Sequence, residues 1–496
     1  MTLLADPTLP KRGLAGCYIN GSWCSPAGGG TLVVENPCRR APLATVGRGM
    51  AADIDAAVAA AKAAFPTWAA MAAAERGRLL SQLADRLDAD ADNTARLLSA
   101  ETGNAIRTQS RGEVAMSANV LRHFGGVAVE QKGETLPLGP GLFSYTTREP
   151  LGVVGAIVPW NSPLLLGALK IAMALCTGNT LVLKPAEDAP LCLLRLAELS
   201  EGLIPAGVLN VINGVGAEAG AALTNHPDVA KVSFTGSTGV GKEILRAAAD
   251  RVANVTLELG GKSPCIVFPD AVTPDRLDKT VTAILGAMRF ARQGQSCTAG
   301  SRLFVHQSVW DVVMPALAKA AGAMKVGDAL DDASDMGAVI NATRYAAIRE
   351  YVAEAEANGA KFAVGGVPVS LEDASGYQPT PTIVHGLDNA WRISREEVFG
   401  PVMVAMPWET EDEVIAMAND THYGLAAYVF TRDVATILRM TRAIDAGWLQ
   451  VNQGGGQIPG MSYGGIKQSG MGSEYSMQGA LESYTYAKNV TIAIDG

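Results

Sequence analysis

The stretch from Leu151 to Leu259 alternates short runs of β-branched residues with longer runs of helical periodicity, and this alternation restricts the fold more than any other feature. The predicted strands cover residues 153–158, 180–183, 208–212, 231–234 and 254–257, and the predicted helices cover 164–176, 189–202, 217–224 and 239–249. Such an order predicts a parallel, doubly wound sheet. Ligands of these sheets bind at the carboxyl ends of the strands, where this chain has Asn161, Lys184, Gly214, Ser237 and Glu258.

A second alternation of helices and strands begins near Cys265 and continues to about Val451, which predicts a separate α/β domain. Its predicted helices lie near residues 277–291, 309–323, 343–358, 411–419 and 433–445. Upstream, two long helices over 51–65 and 74–98 are expected to flank the first sheet. Two outlying segments, 134–148 and 483–494, have strand composition, and we expect them to pair with another subunit because an exposed strand promotes aggregation.

Charge and composition argue against several classes of protein. The formal net charge is -9 and no cluster of Lys and Arg occurs, so a nucleic-acid partner is not expected. The most apolar stretch, 151–176, is interrupted by two prolines, an asparagine and a lysine, which makes it a poor membrane span. An acid at Asp6, where a signal peptide would carry positive charge, leaves the cytoplasm as the expected location. The 7 cysteines and 5 histidines show neither Cys-x-x-Cys pairs nor ligand spacing, so neither a disulfide framework nor a metal site is expected.

The sequence FTGSTGVG, residues 234–241, follows a predicted strand and opens a predicted helix. Glycines there let the backbone approach a phosphate, and the first N–H groups of the helix attract the anion. Residues 236–242 also match a Walker lysine loop, although Glu243 replaces the Ser or Thr that would hold magnesium. An ordinary strand-to-helix turn is the structural alternative.

A carboxylate also follows the second predicted strand, in Lys184-Pro-Ala-Glu187. An acid at this place can accept hydrogen bonds from both ribose hydroxyls of an adenosine and would repel a 2′-phosphate, so NAD is favoured over NADP. Taken alone, Glu187 would instead be interpreted as a solvated loop residue. The first strand is followed by Pro-Trp-Asn, so the usual G-x-G-x-x-G fingerprint of dinucleotide sites is missing there.

Three reactive side chains stand out. Cys297 ends the turn Gly-Gln-Ser-Cys, Glu258 precedes a Gly-Gly pair, and Asn161 follows the first strand of the sheet. A thiol, a carboxylate and an amide are the groups needed to capture a carbonyl carbon and then hydrolyse the product. Each also has an ordinary structural interpretation: a buried inert thiol, a structural acid before a turn, and a helix N-cap.

Together these segments resemble the NAD(P)-dependent aldehyde dehydrogenase superfamily from about Tyr18 to Ile494. Six motifs occur in the family's order: Pro-Trp-Asn (159–161), Lys-Pro-Ala-Glu (184–187), Phe-Thr-Gly-Ser-Thr (234–238), Glu-Leu-Gly-Gly-Lys (258–262), Gly-Gln-Ser-Cys (294–297) and Glu-Glu-Val-Phe-Gly-Pro (396–401). The resemblance implies oxidation of an aldehyde to a carboxylic acid with NAD, through a cysteine thiohemiacetal and a thioester. The alternatives are a cysteine-dependent esterase or acyltransferase and a non-catalytic structural relative.

Carried over residue by residue, the resemblance implies that Cys297 is the nucleophile and Glu258 the general base. Asn161 and the backbone N–H of Cys297 would form the oxyanion hole, and Glu474 would be a second acid near a proton exit path. No metal is implied. The residues implied to bind NAD, with NADP as the less favoured cofactor, are Trp160, Lys184, Glu187, Gly216, Gly236, Ser237, Glu397 and Phe399.

The resemblance implies a substrate pocket made by Ser162, Leu166, Leu169, Ser296 and Thr298. Ser162 stands where many relatives have Phe, Leu169 where many have Trp, and the glycines 454–456 replace bulkier residues of a loop that commonly lines the pocket. These departures predict a wider channel that accepts a bulky apolar or aromatic aldehyde.

The implied fold is α/β, with a doubly wound, Rossmann-like cofactor domain, a second α/β catalytic domain and a small β oligomerisation arm. The expected NAD-binding domain comprises residues 1–125 and 149–258, and the expected catalytic domain comprises 259–451, to which a pocket loop, 452–479, returns. The arm comprises 126–148 and 480–496 and would build a homodimer or a homotetramer.

Overall fold

A computed structural model of the chain describes residues 3–494. Positions 1–2 of the predicted NAD-binding domain and positions 495–496 of the predicted arm lie outside the described residues. The strands are β1 (Cys17–Ile19), β2 (Ser22–Cys24), β3 (Thr31–Asn36), β4 (Ala41–Gly47), β5 (Thr135–Leu136), β6 (Leu142–Pro150), β7 (Val153–Ile157), β8 (Thr180–Lys184), β9 (Leu209–Ile212), β10 (Val229–Thr235), β11 (Asn254–Glu258), β12 (Pro264–Val267), β13 (Arg302–His306), β14 (Lys361–Val364), β15 (Thr382–His385), β16 (Val402–Trp408), β17 (Ala426–Phe430), β18 (Trp448–Val451), β19 (Gly470–Met471) and β20 (Thr485–Ala493). The α-helices are α1 (Ala51–Ala70), α2 (Ala73–Ala89), α3 (Ala91–Thr102), α4 (Arg111–Val127), α5 (Pro163–Cys176), α6 (Leu191–Ser200), α7 (Ala221–Asn225), α8 (Thr238–Ala249), α9 (Leu277–Met288), α10 (Trp310–Gly322), α11 (Ala342–Ala357), α12 (Arg392–Arg395), α13 (Glu411–Asn419), α14 (Val434–Ala443) and α15 (Met477–Tyr484).

The first alternation builds an eight-stranded sheet in the order β19-β11-β10-β7-β8-β9-β1-β2. Its five central strands, from β11 to β9, are parallel. The chain adds β8 and β9 on one side of β7 and then returns to add β10 and β11 on the other. The order therefore reverses beside β7, and a crevice forms at the carboxyl ends of β7 and β10. The predicted doubly wound α/β class is confirmed.

The sequence of this sheet explains its position in the core. All five residues of β7 and all five of β8 are buried, as expected for parallel strands covered by helices on both faces. Helix α5 covers the sheet and begins with Pro163, whose fixed φ and missing N–H suit a first helical position. Only Leu165 and Leu166 of this helix are not fully buried. These two leucines mark the end of α5 that borders open space.

The second alternation builds a seven-stranded sheet in the order β14-β15-β16-β13-β12-β17-β18. Its strands are parallel except for β14, which pairs antiparallel with β15. The first of these strands in the chain, β12, begins only six residues after Glu258, so the last parallel strand of one sheet leads directly into the other. Cys297 lies in the segment between α9 and β13.

Several predicted elements have other boundaries in the structure, and two of them show the physical reason. The predicted helix over 74–98 is divided at Asp90, whose carboxylate accepts hydrogen bonds from Thr94 Oγ1 at 2.8 Å and from Arg195 Nη2 at 2.7 Å. A short polar side chain held in this way favours a helix boundary. The predicted strand over 483–494 begins at Thr485, because the preceding two residues complete α15. Within residues 3–494 no single helix is long and apolar enough to cross a membrane. Helices α1 and α2 reach the required length and apolar composition only when taken together, and they are bent by 119° relative to each other.

A ribbon of β20, β6 and β5 lies apart from the two large sheets. β20 and β6 pair antiparallel from Thr485 opposite Pro150 to Ala493 opposite Leu142. Large apolar side chains of the ribbon are exposed, with Phe143 at 43% and Tyr486 at 48%. Exposure of this kind is typical of surfaces that pair with another chain.

Candidate active site

A cavity of about 220 Å³ lies at the carboxyl ends of β7, β10 and β11. The first α/β unit contributes the residues after β7 and β10, and the second contributes the segment before β13 and the loop before β16. The predicted site residues that line this cavity are Trp160, Asn161, Ser162, Leu166, Gly236, Ser237, Glu258, Ser296, Cys297, Glu397, Phe399 and Glu474. The structure therefore brings together the thiol, the carboxylate and the amide that are far apart in sequence.

Cys297 presents its thiol to the cavity from a tight turn. The side chain is half-buried, and its Sγ lies 3.8 Å from Tyr463 Oη. Gly294 in this turn has φ +64°, and a Cβ there would lie 2.0 Å from the Gly400 carbonyl oxygen, so only glycine fits. Burial raises the pKa of the thiol to about 12; the Glu397 and Glu258 carboxyl groups add to this rise, and the Tyr463 hydroxyl opposes it. The protein alone therefore keeps Cys297 protonated near neutral pH.

Glu258 is the last residue of β11 and is paired in register with Thr235 of β10. Its side chain is buried, and neither carboxylate oxygen has a hydrogen-bond partner within residues 3–494. Burial raises the pKa of Glu258 well above the ordinary carboxyl value, Glu474 raises it further, and Lys170 opposes both. A carboxyl group with such a pKa is suited to accept a proton near neutral pH.

A buried ion pair lies behind Glu258. Lys170 of α5 donates from Nζ to Glu474 Oε1, and both side chains are almost completely inaccessible to solvent. The second oxygen of Glu474 has no partner in the described part of the chain, and this residue lines the cavity. The positive charge of Lys170 thus lowers the pKa of Glu258.

Asn161 is fixed by the segment that carries the nucleophile. Its Nδ2 donates to the Gln295 carbonyl oxygen at 2.9 Å, while Ser162 is the N-cap residue of α5, so the helix-cap interpretation of Asn161 does not hold. A primary amide has two N–H donors, and the contact with Gln295 uses one of them. Across residues 3–494, the backbone N–H of Cys297 donates to no protein acceptor. Two N–H donors, one on the Asn161 amide and one on the Cys297 backbone, are therefore available in the cavity that the thiol lines.

The Gly260-Gly261 pair after Glu258 allows a close backbone contact between the two α/β units. A Cβ at Gly261 would lie 2.1 Å from the Cys297 carbonyl oxygen, and a Cβ at Gly260 would lie 2.5 Å from Glu397 Oε2. The Gly261 N–H also donates to Glu397 Oε1 at 2.9 Å. Glycine is required at both positions because any side chain would separate β11 from the segment that holds the thiol.

The predicted adenosine residues lie together at the end of β8, outside the walls of the cavity. Lys184 Nζ lies 2.9 Å from Glu187 Oε2, and the Gly216 N–H donates to Glu187 Oε1 at 3.4 Å. Burial opposes ionisation of Glu187, but the Lys184 charge and hydrogen bond outweigh it, so the pKa of Glu187 lies below its ordinary value. An ionised carboxylate is thus fixed beside β8, where it can accept hydrogen bonds.

The residues predicted to hold the rest of a dinucleotide border the cavity itself. Ser237 is the N-cap of α8, and its Oγ accepts a hydrogen bond from the Val240 N–H at 3.4 Å. The rings of Trp160 and Phe399 meet edge to face with centroids 5.4 Å apart. Lys242, the candidate Walker lysine, donates to Gln468 Oε1 at 2.8 Å, and Glu243 stands where the magnesium ligand of a Walker loop would be.

Two predicted pocket residues and the glycines 454–456 lie outside the cavity wall. Leu169 is fully buried because it lies one turn deeper in α5 than Leu165 and Leu166. Thr298 is buried as well; its carbonyl oxygen accepts a hydrogen bond from Tyr428 Oη at 2.8 Å. Neither residue lines the cavity. The glycines 454–456 do not line the cavity either. Gly454 packs against α9 instead, and a Cβ there would lie 2.3 Å from the Ala283 carbonyl oxygen, so this packing requires glycine.

The cavity also has walls that the sequence did not indicate. They are Leu165, Arg292, Arg344, Gln457, Tyr463 and Tyr475, among others. Tyr475 has φ +65°, a left-handed conformation that tends to occur where function requires it. Arg292 alone had a signal, because it lies five residues before Cys297 in the same loop.

Comparison with known proteins agrees with this geometry. The model of the aldehyde dehydrogenase family matches residues 23–490. An aldehyde dehydrogenase of Enchytraeus buchholzi is 40% identical over 480 residues, which cover 96% of this chain and 95% of that protein. The structure of a Bacillus cereus aldehyde dehydrogenase in complex with NAD+ superimposes with a TM-score of 0.94 at 37% identity and covers 99% of this chain and 100% of that one. The P. syringae indole-3-acetaldehyde dehydrogenase AldA, in complex with NAD+ and IAA, has a TM-score of 0.92 at 37% identity and covers 97% and 96% of the two chains.

The match extends over nearly the whole chain, and it includes the segments that meet at the cavity. The resemblance predicted from the six motifs is thereby confirmed. The chain belongs to the aldehyde dehydrogenase family of oxidoreductases.

Proposed function

We propose that this protein oxidises an aldehyde to a carboxylic acid with NAD, through a thiohemiacetal and then a thioester on Cys297. The observation that carries the proposal is that Cys297, Glu258 and Asn161 line one cavity. An esterase or acyltransferase would use the same thiol without a cofactor, and production of NADH during turnover separates the two activities.

In the first half of the reaction, the Cys297 thiol loses its proton to water, Sγ forms a bond to the carbonyl carbon, and the carbonyl oxygen becomes an oxyanion. The free N–H of Asn161 and the backbone N–H of Cys297 stabilise that oxygen, an arrangement typically worth ~3 kcal/mol per donor. When the carbonyl group re-forms, the C–H bond of that carbon breaks, the hydride leaves and a thioester remains. When bound, NAD supplies a cationic nicotinamide that favours the thiolate and accepts the hydride. The contact between Asn161 and Gln295 keeps the amide in place without using both of its donors.

In the second half, water adds to the thioester carbon and the carbon–sulfur bond breaks, which returns the thiolate and releases the acid. Glu258 accepts the proton of that water, and its raised pKa makes it a stronger base than an ordinary carboxylate. The Lys170 and Glu474 pair lies next to Glu258 and supports the proposed route by which the proton leaves.

The residues at the strand ends fit NAD. Glu187 and Lys184 would hold the adenosine ribose, Ser237 the pyrophosphate and Glu397 the nicotinamide ribose. The fixed, ionised Glu187 supports this assignment, because it can accept from two ribose hydroxyls and repels a phosphate at the same place.

We expect Glu187→Ala to reduce the preference for NAD over NADP by about tenfold, since one repelled charge is typically worth ~1.4 kcal/mol or more. The measurement is kcat/KM for each cofactor with one saturating aldehyde. Glu201→Ala, which replaces a carboxylate remote from the cavity, serves as the matched control. An unchanged ratio in the Glu187 variant would remove the assignment of this residue to the ribose.

The substrate proposed is a bulky apolar or aromatic aldehyde. The leucines 165 and 166 and the tyrosines 463 and 475 in the cavity wall support it, as does the similarity to an indole-3-acetaldehyde dehydrogenase. Steady-state turnover of acetaldehyde, hexanal, benzaldehyde and indole-3-acetaldehyde with NAD, followed by NADH absorbance, tests both the reaction and its preference. A panel led by acetaldehyde would contradict the size preference, and turnover of none would contradict the oxidation.

We also propose the domain organisation expected from the sequence, with the cofactor bound by the eight-stranded sheet and the nucleophile carried by the seven-stranded one. The exposed ribbon of β20, β6 and β5 supports assembly into a homodimer or a homotetramer in which two ribbons pair. We expect the mass in solution, measured by light scattering, to be two or four times that of the chain, and a monomer would contradict this.

The free thiols of all seven cysteines fit the reducing conditions of the cytoplasm, where we propose that the enzyme acts.

A further inference from the structure

A cationic side chain borders the part of the cavity that Ser162 lines. Arg292 lines the cavity five residues before Cys297, and its side chain retains 19% exposure. It donates from Nη1 to Ser162 Oγ and from Nε to Gln109 Oε1 at 3.0 Å. The space that the small Ser162 side chain leaves is therefore occupied by a guanidinium group.

The counterion of Arg292 lies on the side away from solvent. Glu113 of α4 is buried, and its Oε2 lies 3.4 Å from Arg292 Nη2 while its Oε1 accepts a hydrogen bond from the Leu165 N–H at 3.3 Å. A guanidinium group has five N–H donors, and the contacts to Gln109, Ser162 and Glu113 use three of them. Two donors thus have no acceptor within residues 3–494 on a side chain that borders the cavity.

The neighbouring walls are apolar or aromatic. Leu165 and Leu166 lie on the first turn of α5, and Tyr475 contributes the facing loop. A substrate in this cavity would therefore have an apolar body along the leucines and a hydrogen-bond acceptor near the guanidinium. An anion is the strongest acceptor for free guanidinium donors, because Arg and carboxylate can form two parallel charge-assisted hydrogen bonds.

We propose that Arg292 selects aldehydes that carry a carboxylate on the end remote from the carbonyl group, so that the preferred substrates are semialdehyde acids with an apolar or aromatic body. The inference rests on the proposed function and makes its substrate class specific. The contact of Arg292 with Ser162 assigns the carboxylate to the wall next to α5, while the aldehyde carbon lies at Cys297.

The test compares 4-carboxybenzaldehyde with methyl 4-formylbenzoate, which has a similar shape and no charge. We expect the wild-type enzyme to prefer the acid in kcat/KM, and Arg292→Gln to lower the ratio of acid to ester by about ten- to a hundredfold, mainly through KM for the acid. Arg292→Lys keeps the charge but not the two parallel donors, so it should retain part of the preference. Arg344→Gln is the matched control, since it removes another arginine of the same cavity, and it should leave the ratio within about twofold if the two sites act independently.

A wild-type preference for the ester, or a ratio unaffected by Arg292→Gln, would overturn the inference. Calorimetric titration of the wild-type enzyme and of Arg292→Gln with terephthalate gives a readout that needs no turnover. Weaker binding of terephthalate to the variant supports the inference, and equal or tighter binding overturns it. If none of the aldehydes produces NADH, the proposed function fails, and the titration still decides whether Arg292 binds a carboxylate.

Discussion

Replacement of Cys297 by serine is expected to abolish aldehyde oxidation, with kcat lower by about 10³-fold or more, because an alcohol is a far weaker nucleophile than a thiolate and nothing else in the cavity can form the thioester. Binding of NAD should change little, since the residues assigned to the ribose and pyrophosphate lie on the ends of β8 and β10. The measurements are NADH formation at saturating aldehyde and a calorimetric titration with NAD.

Cys24→Ser is the matched control for this substitution. Cys24 is also partly buried, but it lies on β2 at the far edge of the eight-stranded sheet and does not line the cavity. Its variant should therefore oxidise aldehydes at close to the wild-type rate. A Cys297→Ser enzyme that retains about a tenth or more of wild-type turnover would contradict the assignment of the nucleophile.

Replacement of Glu258 by glutamine should stop the reaction at a later step. The amide cannot accept a proton from water, so hydrolysis of the thioester should slow by about 10²- to 10⁴-fold. Capture of the aldehyde does not require this base, and the variant should produce a burst of about one NADH per active site before it stalls. Rapid mixing detects the burst, and mass spectrometry should find the acyl group on Cys297.

The pH profile provides a second measurement on the same variant. Burial and Glu474 raise the pKa of Glu258, and a base acts only when deprotonated, so wild-type kcat should increase with pH through that raised pKa. In Glu258→Gln this limb of the profile should be absent. Steady turnover without a burst, or an unchanged profile in the variant, would contradict the role of Glu258 as the base.

The sequence predicted the fold well because its strongest signals are local. Strand β8 contains an apolar run that ends in Lys184, β11 ends in Glu258, and a parallel sheet brings such strand ends to one edge. Motif order then connected Asn161, Glu258 and Cys297 to one chemistry. Their convergence depends only on strand order and on the Gly260-Gly261 contact, and both of these have sequence signatures.

The residues of the cavity wall were harder to predict, because they depend on how far along a helix a residue lies from the cavity and on the paths of long loops. Leu166 and Leu169 share a face of α5 by helical periodicity, but one turn of helix moves Leu169 into the core. Tyr463 and Tyr475 belong to a long connection whose path is set by tertiary contacts, and no local pattern indicates it. The small side chain at Ser162 predicted open space, but the Arg292 guanidinium fills that space. Only the contacts of Arg292 with Ser162 and Glu113 in the structure show this.

The backbone contact between Gly261 and Cys297 makes reactivity a property of the two halves of the enzyme jointly. The base is anchored in one half and the thiol in the other, so local opening of either should inactivate the enzyme before the whole chain unfolds. Variation in the cavity walls contributed by α5 and by the connection after β18 can change which molecules are accepted while this junction stays intact. Substrate specificity can thus change in one part of the cavity while the reacting groups stay unchanged in another part.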